Sequence, residues 1–162
     1  MTIHNMTQEK LIAIILAPMI SGCISFVASL TIITMIYRSN VKLSTSYRRL
    51  IFGMSVFDLI QSLSQASSSL PMPAGFMWGA IGNNTTCDFQ GFLSVVGSSG
   101  SMLYSLSIAV YFLLIIKFNL SNRQIRKKYE LILHSVPVLY SLIGGTSLFL
   151  SGSYNPAGKY DI

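Results

Sequence analysis

One carboxylate, Asp58, lies near the centre of the apolar stretch "SVFDLIQS" at residues 55 to 62. An aspartate at the centre of a membrane span costs about 2.5–3.5 kcal/mol on insertion scales, so its side chain is expected to face protein or water rather than lipid. Polar residues recur around it at spacings of three and four, which places them on one face of a helix. This polar face comprises Ser55, Asp58, Gln61, Ser62, Gln65 and Ser69.

A second polar stripe lies in the apolar stretch that follows Cys87. Its members are Ser94, Ser98, Ser101 and Ser105, with Gly97 and Gly100 beside them. Small residues let membrane helices approach closely, and serines hydrogen-bond across helix interfaces, so helix packing explains most of these positions. The length of the stripe predicts a central helix that touches several neighbours.

Catalytic chemistry is not expected from these residues. Asp58 has no acidic partner with which to divide general acid and general base roles. The chain also shows no metal-spaced cluster, no nucleotide-binding loop and no nucleophile with a plausible base. We therefore predict that the protein is not an enzyme, and that Asp58 serves hydrogen bonding or ion binding.

The elements that must position these side chains are long and apolar. Of the 162 residues, 51% are hydrophobic and only 10% are charged, and the mean hydropathy is +0.58. Four apolar segments, at about 11–37, 48–70, 88–116 and 131–151, are near or above the roughly 20 residues that a helix needs to cross the hydrocarbon core. The pattern predicts an all-α, polytopic membrane bundle of four transmembrane helices in a single domain, residues 1–162, surrounded by lipid.

The positive charges predict how the chain is oriented. Nine of the eleven Lys and Arg residues fall in the first and third connections between spans, and residues 71 to 86 contain none. The positive-inside rule then places both termini on the extracellular or lumenal side. Because the basic residues lie in short loops beside spans, we expect no nucleic-acid partner. The third connection is the candidate cytoplasmic partner-facing segment, with Arg123, Arg126, Lys127 and Lys128.

Glycosylation and disulfide chemistry are predicted on the outer side. Asn5, Asn83 and Asn84 head Asn-X-Ser/Thr sequons there, as glycosylation requires. Cys87 lies at the outer mouth of the third span, where a disulfide can persist, whereas Cys23 lies within the first span and is expected to be buried. Cys87 is therefore either free or paired with a partner outside this chain. His134, near the cytoplasmic boundary, is expected to be solvated or to snorkel towards the interface rather than to bind a metal, because no spaced partner accompanies it.

Three stretches carry a resemblance to a known family: "TSYRRLIFGMSVFDL" at 45–59, "CDFQGFL" at 87–93 and "SLSIAV" at 105–110. Together with the four spans they resemble the amino-terminal half of a seven-helix G-protein-coupled receptor, rhodopsin-like or cyclic-AMP-receptor-like. The resemblance implies a signalling protein of the plasma membrane that has an extracellular ligand and a heterotrimeric G protein as partners. It also implies further helices beyond residue 162.

The resemblance implies roles for particular residues as well. Cys87 looks like the cysteine that the family ties to the second extracellular loop. Asp58 and Ser101 match the aspartate and serine that the family places around a sodium ion, and the candidate ion-binding or polar network comprises Asp58, Ser101, Ser98, Gln61 and Gln65. Tyr111 begins the triplet "YFL" where the family carries Asp-Arg-Tyr, so the family's charged contact to the G protein is missing.

Two other functions compete with the receptor interpretation. In a small four-helix transporter or channel subunit, Asp58, Gln61 and Gln65 would line an ion or proton path. In a four-span scaffold, partner binding would be the whole activity. For Asp58 itself, the alternative to sodium binding is a structural role, protonated or hydrogen-bonded to serines of the third helix.

Overall fold

The computed structural model describes residues 8–75 and 79–154, and within these ranges it contains helices and no strand. The five helices are α1 (Gln8–Arg38), α2 (Ser46–Ser67), α3 (Asn84–Ile116), α4 (Asn122–Lys128) and α5 (Glu130–Leu150). The prediction of an all-α helical bundle is therefore confirmed. Four of these helices correspond to the predicted spans, and α4 falls in a segment that was expected to be a loop.

Within the described residues, three helices are long and apolar enough to cross a membrane, which indicates an integral membrane protein. They are α1 from Ile12, α3 and α5. The helix α2, predicted as a fourth span, is not in this set. Its polar face, which includes Asp58 and two glutamines, lowers its hydropathy, so length and composition alone do not support four crossings.

The long helices pack in the order α1, α2, α3, α5. The helix α2 lies between α1 and α3, and α5 packs on the other side of α3. Glycines lie at each of these contacts: a Cβ on Gly22 would stand 2.5 Å from the Ala66 nitrogen, and one on Gly97 would stand 2.6 Å from the Gln61 nitrogen. A Cβ on Gly145 would meet the side chain of Val96 at 2.4 Å. The helices therefore approach as closely as small residues allow.

The two ends of the bundle differ in charge. The end that holds residues 39–45 and 117–129 carries most of the Lys and Arg residues, and we call it the basic end. The end that holds residues 68–75 and 79–83 is called the opposite end. Apolar and aromatic side chains from α2, α3, α4 and α5 form a buried core that extends to the basic end, comprising Leu50, Phe57, Val96, Tyr104, Tyr111, Ile125 and Leu133.

Candidate functional site

The centre of the α2–α3 contact holds Asp58 and Ser101. The helix α3 presents Gly97 and Gly100 to α2, and the missing side chains make room for the backbone of Gln61 and the ring of Phe57. Because α2 and α3 lie close together here, the Ser101 hydroxyl reaches Oδ1 of Asp58 and donates a hydrogen bond to it. The carboxylate is partly buried, and a single neutral hydroxyl is its hydrogen-bond partner within the described part of the chain.

The rest of the predicted polar network does not gather around Asp58. The Ser98 hydroxyl donates to the Val95 carbonyl of its own helix at 3.2 Å. Gln61 contributes backbone to the Gly97 contact, and Gln65 is exposed and lines a cavity at the opposite end. The structure thus joins Asp58 to Ser101, and it places the other three predicted members of the network elsewhere on the same helices.

That cavity, of about 490 Å³, lies between the ends of α1, α2 and α3. Its polar lining comprises Ser64, Gln65, Ser68, Ser69, Gln90, Ser94, Ser153 and Tyr154. The Gln90 amide donates to the carbonyls of Ser64 (2.9 Å) and Ser68 (2.7 Å), which ties α3 to α2 along one wall. Burial raises the pKa of Tyr154, whose neutral phenol donates to the Gly145 carbonyl at 3.1 Å. Asp58 is not among the described lining residues.

The two cysteines lie in different environments. Cys87 is buried and free, and it lines the same cavity. Cys23 is also free, but it is exposed on α1 rather than buried as predicted, because α1 contacts only α2 among the described helices and leaves its other faces uncovered.

Of the asparagines that head sequons, Asn83 caps α3, accepting from the Thr86 amide at 2.9 Å, and Asn84 is exposed. Asn5 lies outside the described residues.

A second carboxylate, which the sequence interpretation missed, forms an ion pair near the basic end. Oε1 of Glu130 lies 2.5 Å from Nη1 of Arg49, and Oε2 accepts a hydrogen bond from the Ser46 hydroxyl at 2.6 Å. The Glu130 side chain is 12% exposed and that of Arg49 is 28% exposed, so the pair is largely withdrawn from solvent. It joins the first turn of α5 to the first turn of α2.

One turn further along α5, His134 faces Tyr104 of α3. The Tyr104 hydroxyl lies 3.1 Å from Nδ1 of His134, and the two rings meet edge to face with centroids 5.6 Å apart. His134 was predicted to be solvated or to snorkel, but its Nε2 atom is buried and has no partner among the described residues. Acidic and basic residues near the starts of α5 and α2 were the available signal for this cluster, because two helices that run in the same direction through a bundle bring their starts to the same end.

The basic residues predicted to face a cytoplasmic partner are exposed, and they lie on α4: Arg123, Arg126, Lys127 and Lys128. Tyr111, predicted to face the same partner, is buried instead, with 5% of its surface exposed. Its ring stacks on Tyr47 of α2 at a centroid distance of 6.0 Å. The prediction for Tyr111 is therefore wrong, because the aromatic ring packs into the core between α2 and α3.

Comparison with known proteins does not distinguish the receptor, transporter and scaffold interpretations. The chain matches no family model, no curated protein and no solved structure.

Proposed function

We propose that the chain is a receptor-like membrane signalling protein that corresponds to the amino-terminal part of a G-protein-coupled receptor. The observation that supports this most directly is the hydrogen bond from Ser101 to Asp58 across the α2–α3 contact. These are the two residues for which the resemblance implies a shared ion site. In this proposal an extracellular ligand and a heterotrimeric G protein are the partners, and the plasma membrane is the location.

The proposal includes four crossings, with both termini outside and the basic end in the cytosol. The position of α2 supports a crossing despite its lower hydropathy. Because α2 packs against α1 on one side and α3 on the other, several of its polar residues are covered by protein. Ser55, Ser62 and Ser64 are all buried there. A helix in this position needs less apolar surface than a helix that faces lipid.

Sodium is the ion proposed for Asp58. A carboxylate and a hydroxyl are oxygen ligands of the kind that hard cations prefer, and a bound cation would offset the charge of Asp58. The described residues bring two such ligands to one point, so water or residues outside the described part would complete the coordination. Asp58 is not among the described residues that line the cavity beside Gln65, and this favours a closed ion site over the continuous path of a channel.

The melting temperature of the purified protein in detergent tests the ion site. We expect a higher melting temperature in sodium chloride than in the chloride of a bulky organic cation at equal ionic strength. Asp58→Asn should abolish the difference, because the amide removes the charge that holds the ion. Asp88→Asn makes the same chemical change near the start of α3 and should preserve the difference. Equal melting of the unmodified protein in both salts would leave Asp58 as a hydrogen-bonding residue only.

Cysteine labelling in intact cells tests the four crossings. On a background without Cys23 and Cys87, single cysteines replace Asn40, Ala80, Asn122 and Gly158. If α2 crosses the membrane, an impermeant reagent reaches positions 80 and 158 but not 40 or 122. Labelling that puts positions 40 and 80 on the same side would contradict the crossing of α2. Labelling of position 122 from outside would contradict the orientation.

A further inference from the structure

The short helix α4 is fixed to the bundle with its basic side chains pointing away from it. Ile125 is fully buried and belongs to the same core as Leu50 and Leu133. Ser121 and Gln124 form a capping box that fixes the start of the helix. With Ile125 facing inward, Arg123 and Lys127 lie one turn apart on the opposite side of the helix. The structure therefore presents these charges in a fixed arrangement.

Three of the four positive charges on α4 are not used in contacts with the described residues. Arg123, Arg126 and Lys127 make no hydrogen bond or ion pair within the part of the chain that the structure describes, and Glu130, the nearest acidic residue along the chain, is engaged by Arg49. Arg48 and Arg49, at the start of α2, behave differently. Arg48 donates to the Ser39 hydroxyl at 2.6 Å, and Arg49 donates to the Leu43 carbonyl at 2.7 Å.

Large apolar side chains are exposed on both sides of α4. At the end of α3 they are Ile116, which is 79% exposed, and Phe118, which is 57% exposed. At the start of α5 the corresponding residue is Leu131, which is 78% exposed. Free positive charge next to exposed apolar surface fits a molecule that has an anionic head and apolar tails, whereas a soluble anion or an acidic peptide would use the charge alone.

We propose that α4, with the adjoining ends of α3 and α5, binds the phosphate headgroups of anionic phospholipids. Arg123 and Lys127 contact the phosphate groups, and Ile116 and Leu131 contact the acyl chains beside them. The inference rests on the proposed placement of the basic end in the cytosol, where the membrane surface is negative. It goes further than the positive-inside rule, because it assigns lipid binding to one of two basic segments.

Lipid retention by the purified, delipidated protein tests this inference. Phosphatidylserine and phosphatidylcholine are titrated in detergent, and bound lipid is counted by native mass spectrometry. We expect phosphatidylserine to bind more tightly than phosphatidylcholine. Arg123→Gln/Lys127→Gln should weaken phosphatidylserine binding about thirtyfold, since each basic residue near an anionic surface contributes about 1 kcal/mol. The matched control, Arg38→Gln/Lys42→Gln, removes two exposed charges from the same end and should leave the binding close to that of the unmodified protein.

Three results would overturn the inference: equal retention of the two lipids, an equal loss in both double variants, or full competition by inorganic phosphate at concentrations similar to that of the lipid. The melting temperature of each variant without added lipid confirms that it is folded. This assay does not depend on membrane orientation, whereas the labelling experiment does. Failure of the lipid site and failure of the proposed topology can therefore be told apart.

Discussion

The two carboxylates that the structure describes between helices differ in how their charge is compensated. Glu130, at the start of α5, has an arginine and a serine as partners on α2. Asp58, at the centre of α2, has one serine hydroxyl of α3. Both carboxylates link two helices by side-chain contacts, yet of these two only Glu130 is part of an ion pair.

This difference separates a structural carboxylate from one that is suited to an added cation. A buried charge is costly unless it is paired, so Glu130 and Arg49 depend on each other. Asp58 lies deeper in its helix, and its partner among the described residues is a neutral donor, so its charge is available to a bound cation. Removing the charge should therefore lower the stability of the protein strongly at Glu130 and weakly at Asp58.

The largest expected effect comes from the same chemical change made at both positions. Glu130→Gln should lower the free energy of unfolding by about 3 kcal/mol, because it leaves Arg49 without its counter-charge in a largely buried site. Asp58→Asn should change it by less than about 1 kcal/mol in sodium-free buffer, since the amide oxygen can still accept from Ser101. Denaturant titration in detergent measures both values.

The double variant Arg49→Gln/Glu130→Gln is the control for this comparison. It removes both charges, so it should recover part of the stability that Glu130→Gln loses. If Asp58→Asn proves as destabilising as Glu130→Gln, the distinction between the two carboxylates fails.

A smaller effect is expected from closing the space between α2 and α3. Gly97→Ala places a methyl group 2.6 Å from the Gln61 nitrogen and should cost about 1–3 kcal/mol, since backbone atoms must shift. By separating the helices near Asp58 and Ser101, it should also reduce the sodium-dependent rise in melting temperature. Gly144→Ala, which meets nothing within 4 Å, is the matched control and should be neutral or slightly stabilising. Equal effects of the two alanines would contradict the close α2–α3 contact.

The smallest effect is expected at the cluster around His134. Tyr104→Phe keeps the ring against Phe57 but removes the hydroxyl beside Nδ1 of His134, and it should cost about 1 kcal/mol. Tyr140→Phe makes the same change at a residue that is 66% exposed and should have little effect on unfolding. A neutral result at Tyr104 would mean that the hydrogen bond to His134 does not contribute to stability.

The long helices and the contact of Asp58 with Ser101 could be predicted from the sequence, whereas most other side-chain contacts between helices could not. Hydropathy and residue spacing locate helices because each helix satisfies its own backbone hydrogen bonds, and because the periodicity of its residues shows which of them share a face. The helix α4 escaped prediction, since seven residues with one apolar side chain resemble a loop. Tyr111 and His134 were placed on the surface, whereas the structure buries Tyr111 against Tyr47 and partly buries His134 against Tyr104.

Composition and periodicity by themselves determined that the chain is a bundle of apolar helices with one carboxylate in the middle of its second helix. The order of packing, and therefore the partner of each charge, was decided only by the tertiary structure. Glu130 lies far from Arg49 and Ser46 along the chain, and nothing local in either segment specifies their contact. The pairing of side chains across helices depends on which helix faces meet and on the depth of each residue along the bundle. In the folded protein, the close approach of helices at glycines sets both.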